Sequence, residues 1–437
     1  MKACCFFIFL MLFLSRSGSA QIEYSAIWEQ EWAINTNGVS QKFETLFEPE
    51  WNISITDNSK MTFIGRARFD ILSNLGPEEA RPDNYGSING SLVAGEHGEL
   101  SIREWYIDTE IIGSYWRIGK QQVVWGQADG LKVLDVINPQ SYREFILDDF
   151  EDSRIPLWMF NVEIPVGNDN SLQLLWLFDL SYNEFAESGS TYQMTSPLLV
   201  PQLPEGFPVS RFNQSKPSST IKDSDFGLRY SMFYEGWDLT LNYLYHFHDS
   251  PVIYQIVENN NVVLNSRYER NHLFGATASK AFGNFTLRTE IGFSSDTFHL
   301  IDNSSPLYWQ QQGIHQSADI SSVLGIDWQG LEDTLLSFQW FQSYLFDYED
   351  SIIRPRNNNI FSFLYQQTFM NEIWVLEVLA LHGFDNDDGV VQTKLSYLLE
   401  SNIQLWLGTD IFYGSKQGLF GQFNETNRLI VGFEWGF

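Results

Sequence analysis

Apolar and polar residues alternate along most of this chain of 437 residues. In Leu429–Phe437 the odd-numbered positions are apolar and the even-numbered ones are polar or glycine, with Ile430 as the one exception. A period of two predicts β-strands with one apolar and one polar face. The polar face carries the charges, which suits a barrel with a wet interior and an apolar exterior. The same period recurs in Lys42–Ile53, Met61–Ile71, Trp237–Phe247 and Phe285–Phe293.

The connections between these strands are of two lengths. The short ones lie at Thr56–Lys60, Ile111–Ser114, Val166–Asn170, Tyr234–Trp237, Phe282–Asn284, Gln329–Asp333 and Glu400–Asn402. The long ones lie at Asn74–Glu99, Gly126–Leu157, Glu184–Lys222 and Asp249–Asn271. Short inner turns opposite long outer loops are expected of outer-membrane barrels. A soluble β-sandwich, the main alternative, has no reason to sort its loops in this way.

The sequence therefore predicts an all-β fold, a transmembrane antiparallel outer-membrane β-barrel of about 16–18 strands. The count stays open because the strands near Pro251–Tyr268 and Trp158–Pro165 are weak. The last strand ends on Phe437 and resembles the terminal strand of bacterial outer-membrane barrels, which commonly end in Phe.

Residues 1–20 have the features of a secretory signal. Lys2 precedes an apolar run, Ala3–Leu14, and small residues lead up to Ala20. The run is too short to span a bilayer comfortably, so a cleaved signal is favoured over a membrane anchor. Cys4 and Cys5 are the only cysteines, which leaves no disulfide in the remaining chain. We expect residues 21–437 to form one barrel domain in the outer membrane of a Gram-negative bacterium, in contact with its lipids.

Charge excludes one class of partner. The chain carries 26 Lys and Arg against 55 Asp and Glu, a formal net charge of −29. Because phosphate binding needs clustered Lys and Arg, nucleic acid is a poor partner.

The first five strands carry charges on the face predicted to line the lumen. These are Glu29, Glu31, Glu44, Glu48, Glu50, Arg66, Arg68, Asp70, Glu104, Asp108 and Arg117. Opposed charges on neighbouring strands can pair, because adjacent strands lie about 4.8 Å apart. They predict either a charged constriction that selects solutes or a salt-bridge network that stabilises a wet wall. In the first case the arginines Arg66, Arg68 and Arg117 would face Glu48, Glu50, Glu104 and Asp108.

The strand pattern stops at Gly126–Pro156. Asn138 followed by Pro139 suits a helix N-terminus, and apolar residues follow with helical spacing at Tyr142, Phe145, Ile146 and Phe150. Acidic residues at the end of this helix would be unfavourable unless arginines met them. We therefore expect residues 126–157 to form a partly helical loop inside the lumen, resting on the arginines of the third and fifth strands. An ordinary outer loop is the alternative.

The same stretch carries a family resemblance. The run RIGKQQVVWGQADGLKVLDVINPQSYREF, with REWYID at Arg103–Asp108, resembles a family of proteobacterial outer-membrane proteins described as a domain of unknown function and predicted to be a β-barrel. The residues that carry it are Gly119, Gln121, Trp125, Gly126, Asp135, Asn138, Pro139, Glu151, Asp152, Arg154 and Pro156, with Glu104 and Tyr106 upstream. Lys120 departs from the Arg expected there, a mild change if only charge matters.

The resemblance implies a function but no chemistry. Members are often encoded beside exporters of the RND type and a companion lipoprotein, which implies outward movement of apolar or lipid-like cargo with an inner-membrane exporter and a periplasmic or lipoprotein partner. No catalytic or ligand residue is known for the family, so none is transferred. The predicted function is an outer-membrane channel or export conduit, not an enzyme, with no cofactor and no metal.

Two other classes stay open. A surface adhesin would work through the polar outer loops and would have an interior too packed to pass ions. An outer-membrane hydrolase would need Ser and His within hydrogen-bond reach on the outer surface. Metal sites at His246–Asp249 and Phe384–Gly389 are weaker, because each lacks a further ligand.

Overall fold

The computed structural model describes residues 21–75, 84–128, 130–203, 206, 208–258 and 261–437. Within these residues, 18 antiparallel strands close into a barrel. The predicted signal sequence at residues 1–20 lies outside the described residues.

The barrel strands follow one another in chain order. They are β1 Ile22–Asn35, β2 Ser40–Thr56, β3 Ser59–Asp70, β4 Gly98–Ile111, β5 Ser114–Gln121, β6 Leu157–Val166, β7 Asn170–Leu177, β8 Asp225–Tyr234, β9 Trp237–Phe247, β10 Arg270–Phe282, β11 Phe285–Leu300, β12 Ile314–Trp328, β13 Thr334–Leu345, β14 Asn357–Phe369, β15 Trp374–Gly383, β16 Asp388–Glu400, β17 Ile403–Tyr413 and β18 Arg428–Gly436. Each pairs with the next, and β18 pairs with β1 to close the ring. At this seam the Ala26 and Phe437 backbones exchange hydrogen bonds of 2.7 and 2.9 Å.

The predicted barrel is confirmed, and the structure decides which weak segments belong to it. Trp158–Pro165 lies in β6. Pro251–Tyr268 does not cross the membrane with the other strands. Instead, Val252–Glu258 and Asn261–Arg267 form a hairpin in a separate three-stranded sheet with Val209–Ser215. This sheet lies at the end of the barrel that carries the long loops.

The predicted division into short connections at one end of the barrel and long connections at the other is also present. Tight turns join β2 to β3 and β4 to β5, while long segments join β3 to β4, β5 to β6 and β7 to β8. The described helices are a single α-helical turn, α1 at Phe150–Ser153, and a 3₁₀ turn at Gly421–Phe423. No helix in the described ranges is long and apolar enough to cross a bilayer.

The outer face of the barrel is apolar and aromatic. Phe282 and Phe285, on either side of one tight turn, are 51% and 50% exposed, and their rings contact Trp237 and Trp328. Aromatic rings at the two interfaces anchor such barrels in the bilayer. Ile430, the exception to the alternation, faces inward and lines a cavity of the lumen.

The predicted helix after Asn138 is wrong. Ser141–Tyr142 instead forms a short parallel bridge with Glu184–Phe185. Phe145 has a φ of 58°, a left-handed conformation that no α-helix accommodates. The helix is confined to α1, and wall contacts set the path of the rest of the segment.

Candidate functional site in the barrel lumen

The segment between β5 and β6 is the candidate site, and here it is named the lumen loop (residues 122–156). Its two ends are tied together by Asn138. The Asn138 side chain accepts a hydrogen bond from the Val123 amide at 2.8 Å and donates to the Gln121 and Ile155 carbonyls at 3.3 and 3.0 Å. Asn138 was predicted as a helix cap. Instead, its side chain joins the two ends of the loop by hydrogen bonds.

The first part of the lumen loop fits into glycine gaps in the wall. Leu134 is fully buried over Gly275 and Gly292, which face each other on β10 and β11. A Cβ atom on Gly275 would lie 2.5 Å from the Leu134 side chain, and one on Gly292 would lie 3.2 Å from it. Trp125 uses the space at Gly227 in the same way, with a distance of 3.0 Å. The loop and the wall are therefore complementary in shape.

Polar groups of β11 hold the same part of the loop. Glu290 accepts hydrogen bonds from the Gln127 amide and, at 3.2 Å, from the Leu134 amide. Arg288 donates to the Gln127 carbonyl at 2.6 Å and pairs with Asp327 at 2.8 Å. These contacts satisfy loop backbone groups that would otherwise be buried without partners.

The second part of the loop packs across the lumen on an apolar wall. Phe145 and its neighbour Ile146 pack into one apolar cluster with inward-facing residues of β12–β17, which are Val323, Phe341, Ile360, Leu381, Val390 and Phe412. The Phe145 ring also lies 4.8 Å from the ring of Phe423 in the connection between β17 and β18. The lumen loop therefore contacts opposite sides of the barrel.

A cluster of charges holds Asp152 at the end of α1. Arg66 of β3 donates to Asp152 at 2.5 Å and also binds Glu48 of β2. Arg103 of β4 lies 3.4 Å from the Asp152 carboxylate and donates to the Glu151 carbonyl at 2.7 Å. The acids at this helix end thus have the basic partners that the macrodipole argument required.

A second cluster surrounds Glu144, whose side chain is inaccessible to solvent. Lys42 of β2 and Arg428 of β18 each lie 2.6 Å from the Glu144 carboxylate. The neighbouring loop residue Arg143 lies 2.7 Å from Glu44, which also belongs to β2. The loop therefore places one acid and one base into a buried network of wall charges.

Burial and charge act in opposite directions on the loop carboxylates. For Glu144, burial favours the neutral form, but Lys42 and Arg428 outweigh it and lower the pKa to about 2. For Asp148, burial and the nearby Glu144 carboxylate raise the pKa to about 7, against the opposing effect of Lys42. The two acids of one loop thus titrate far apart.

The predicted constriction residues do not form a single ring. Arg66 binds Glu48 and Arg117 pairs with Asp108 at 2.7 Å, both among the predicted pairings. The Arg117 pair lies near the tight turns, however, and among the described residues Arg117 makes no ion pair with the loop. The expected role of Arg117 as a loop partner is wrong, because its strand position places it too far toward the inner end. Arg103 takes that role.

The other predicted charges have local partners. Arg68 lies 3.7 Å from Glu44 and 3.9 Å from Glu99. Asp70 accepts two backbone hydrogen bonds of 3.1 Å at the outer end of β3. Glu50 accepts a hydrogen bond from Asn52, and Glu104 accepts one from Gln122 at 3.0 Å.

The residues that carry the family resemblance lie at the base of the loop. Gly119 has a φ of +136°, and a Cβ atom there would lie 2.2 Å from the Trp105 carbonyl oxygen. Arg154 binds Asp135 at 2.8 and 3.0 Å, and Gly126 leaves space for Asp135. Backbone and amide contacts fix the rest, namely Gln121 to the Met159 carbonyl, the Pro139 carbonyl to Ile155 and the Pro156 carbonyl to Asn89. Their arrangement positions the loop.

Three neighbouring cavities lie in the lumen. The outer vestibule, of about 480 Å³, is lined by Tyr142, His248 and Arg354 among others. The middle cavity, of about 290 Å³, shares Lys132, Gln140 and Tyr142 with the vestibule. The inner chamber, of about 450 Å³, shares a second set of lining residues with the middle cavity, which are Gly130, Ile146, Asp148 and Phe150. Every shared residue belongs to the lumen loop.

Sequence reasoning missed several members of the network. Lys42 and Arg428 were on the polar face of the alternation, so their inward direction was available from the sequence. Arg103 was hidden, because a β-bulge opposite Ile64 and Gly65 inserts it between inward-facing neighbours. Arg143 and Glu144 fell inside the predicted helix, where spacing drew attention to the apolar residues.

The structure also bears on the two weaker candidates from the sequence, a metal site and a hydrolase site. In the described chain, no three His, Cys, Asp or Glu side chains are placed to hold a metal ion. On the outer side, Ser73 Oγ lies 2.5 Å from His97 Nδ1, but among the described residues no carboxylate or amide binds the other ring nitrogen of His97.

Fold and lumen together define a class of protein, a closed β-barrel of the outer-membrane type whose lumen contains an inserted loop. The chain belongs to the family described as a protein of unknown function (DUF1302), whose model matches residues 99–419. This confirms the resemblance found in the sequence. No curated protein matches the chain.

Solved structures share the barrel at low sequence identity. OpdK of Pseudomonas aeruginosa, crystallised with vanillate, is 12% identical over 95% of this chain and 98% of that chain, with a TM-score of 0.55. OccAB2 of Acinetobacter baumannii is 12% identical over 95% of this chain and 98% of that chain, with a TM-score of 0.56. OccK8 (OprE) of P. aeruginosa is 10% identical over 95% of this chain and 98% of that chain, with a TM-score of 0.54. At such identity the likeness establishes the fold.

Proposed function

We propose that this protein is a channel or export conduit in the outer membrane of a Gram-negative bacterium, with the lumen loop as its constriction. The observation that supports the proposal is that three neighbouring cavities lie in the lumen and that loop residues form both boundaries between them, here named the narrowings. Solutes would pass by diffusion, and no chemical step is involved. An adhesin would not need a row of cavities inside its barrel.

The cargo and partners form the finer part of the proposal. The apolar residues Leu46, Leu364, Leu379 and Ile430, which line the inner chamber, would suit cargo with apolar or lipid-like parts, because water-filled pores are otherwise polar. Such cargo could be delivered by an RND-type exporter through a periplasmic or lipoprotein partner. Co-purification of this protein with an exporter encoded beside it would support the partnership, and separation of the two under mild detergent would argue against it.

Deletion of Leu134–Asp152 tests the constriction. The deletion removes the residues at both narrowings except Gly130 and Lys132, so single-channel conductance in planar bilayers is expected to rise several-fold. A matched control removes Ile256–Val263, the distal part of the outer hairpin, and keeps Val252 and Ile253, which line the outer vestibule; its conductance is expected to stay unchanged. Unchanged conductance after the loop deletion would place the loop outside the conducting path.

The Ser73–His97 contact is the one observation that favours a second candidate, a lipid hydrolase. The refolded protein would then release fatty acid from phospholipid vesicles, and Ser73→Ala would abolish this release. Hydrolysis that survives Ser73→Ala, or no hydrolysis at all, would rule out this pair as a catalytic site.

A further inference from the structure

The inner chamber has a strong excess of acidic residues. The acids that line it are Glu29, Glu31, Glu44, Asp148, Asp149, Asp152, Glu377, Asp410 and Glu434, and the bases are Lys42, Arg68, Lys394 and Arg428. Several of these acids are paired, since Lys42 binds Glu31, Arg428 binds Asp410, Arg143 binds Glu44 and Arg66 binds Asp152. Glu29, Asp148, Asp149 and Glu434 lie outside these pairs. The chamber therefore presents negative charge to whatever enters it.

Two of these acids oppose each other directly. Glu29 of β1 and Glu434 of β18 are register partners across the seam. Within the described residues, neither carboxylate belongs to a salt bridge. Like charges directly opposite on neighbouring strands are destabilising, so either a proton or a mobile cation between the two carboxylates would be stabilised.

The same chamber has an apolar side. Trp406 lies on β17 where Gly432 leaves room for its ring, since a Cβ there would be 2.2 Å away. Further apolar side chains continue this surface, namely Leu46, Leu364, Leu379, Leu381 and Ile430. Carboxylates beside an aromatic and aliphatic surface favour a solute that has both a positive charge and an apolar body.

An ammonium group already occupies the narrowing above the middle cavity. Lys132 Nζ lies 4.4 Å from the centre of the Phe150 ring and 3.5 Å from Asp135, and it donates a hydrogen bond to Gln140. An aromatic face with a carboxylate and an amide oxygen is a typical environment for ammonium recognition. This observation is independent of the chamber charges, and it shows which side chains stabilise an ammonium group in this lumen, although Lys132 itself fills this position.

The cavity at the inner mouth of the barrel also has more acidic than basic residues. A cavity of about 710 Å³ at the tight turns is lined by Asp57, Asp108, Glu110 and Glu163 against Lys60 and Arg117. Asp108 and Arg117 pair with each other, so the remaining charge is negative. A passage lined by one sign of charge in low-dielectric walls concentrates counter-ions.

From these observations we infer that the channel is selective for cations and that its preferred solutes are organic ammonium ions with an apolar body. This inference rests on the proposed channel function and specifies its substrate class. Anionic lipids and aromatic carboxylates would be disfavoured by the inner chamber, while a cationic amphiphile would meet complementary surfaces within it.

Reversal potentials across planar bilayers test the sign of selectivity. In a KCl gradient the purified full-length barrel is expected to pass K⁺ over Cl⁻. In separate gradients it should pass benzylammonium over chloride, and benzoate, which has nearly the same shape, should be excluded. Preference for Cl⁻ or benzoate, or no preference, would overturn the inference.

Paired variants locate the selectivity. Glu29→Gln with Glu434→Gln should lower the cation-to-anion permeability ratio several-fold. Asp302→Asn with Glu258→Gln, which removes two charges from outer loops, should not change it. Trp406→Leu should lower benzylammonium permeability relative to K⁺ and leave the K⁺ to Cl⁻ ratio unchanged. If the first pair keeps full selectivity, the chamber is not the filter.

The same conductance measurements distinguish a failure of the channel proposal from a failure of this inference. If neither the wild type nor the Leu134–Asp152 deletion conducts any ion, the channel function itself is wrong and this inference fails with it. If both conduct but favour anions, the channel function stands and only the substrate class is wrong.

Discussion

At the scale of single residues, the position of the lumen loop depends on glycines in the wall. Leu134 is buried because Gly275 and Gly292 have no side chains, and Trp125 is buried because Gly227 has none. Interiors packed at this density respond to the addition of one methyl group. Glycines in these strands are therefore parts of the loop's docking surface.

Gly275→Ala is expected to weaken docking of the loop by about 1–3 kcal/mol, the range for overpacking a tight interior. The added Cβ would lie 2.5 Å from Leu134, against 3.2 Å for Gly292→Ala, which serves as the milder control. Hydrogen exchange of amides in Gly126–Pro156 should accelerate more in the first variant than in the second. Leu134→Ala in the Gly275→Ala background should restore part of the protection, and equal exchange in both glycine variants would contradict this account.

At the scale of elements, the sequence predicted the strands far better than the loop. Alternation in Trp237–Phe247 and Phe285–Phe293 identified β9 and β11, because each strand must satisfy a lipid face and a lumen face independently of its neighbours. The loop has no such local constraint. Phe145 and Tyr142 have helical spacing, yet contacts with β17 and with Glu184–Phe185 override it.

The charges of the site were predictable in part. Whether a strand residue faces the lumen follows from its odd or even position along the strand. Arg66 and Glu48 were therefore identified correctly as partners. The height of a residue along the barrel axis depends on the strand register, which the sequence does not show, and Arg117 was therefore placed wrongly. Arg103 was missed because it lies in a β-bulge. Pairings between the loop and the wall join residues far apart in sequence, and no local pattern encodes them.

Docking of the lumen loop is expected to weaken as pH rises from 5 to 8. Asp148 binds a proton more tightly in the docked loop than its ordinary pKa of 3.8 would allow, because burial and then Glu144 raise the pKa to about 7, while Lys42, Arg143 and Arg68 oppose this. A raised acid pKa stabilises the docked state at low pH, and that stabilisation is lost as pH rises through about 7.

Conductance measured at pH 5 and pH 8 checks this expectation. The wild type should conduct more at pH 8, whereas Asp148→Asn should show little change over that range. Glu144 does not interfere, because its lowered pKa confines its own titration to pH values below about 4.5. An Asp148→Asn variant with the wild-type pH response would exclude Asp148 as the responsible group.

At the scale of the whole molecule, the barrel and the outer sheet are separate strand ladders, and the Gln255 amide of the outer sheet donates a hydrogen bond of 2.8 Å to the Gln312 carbonyl between β11 and β12. Val209–Ser215, Val252–Glu258 and Asn261–Arg267 pair only with one another, while the barrel ladder closes without them. A closed barrel has no free edges to be stabilised by additional strands.

Replacing Val252–Arg267 by a short Gly-Ser linker should therefore leave the barrel intact. Far-UV circular dichroism should retain the β-spectrum, and the unheated protein should keep its faster migration in detergent gels. Loss of that migration shift would show that the outer sheet is required for the barrel to close.

The charged network around Glu144 has a mechanical consequence. The seam between β1 and β18 is the one junction of the ring that no chain connection spans. Glu144 binds Arg428 on β18 and Lys42 on β2, and Lys42 in turn lies 2.9 Å from Glu31 on β1. The loop thus braces the seam from within, and displacing it would lower the force needed to part the two terminal strands sideways.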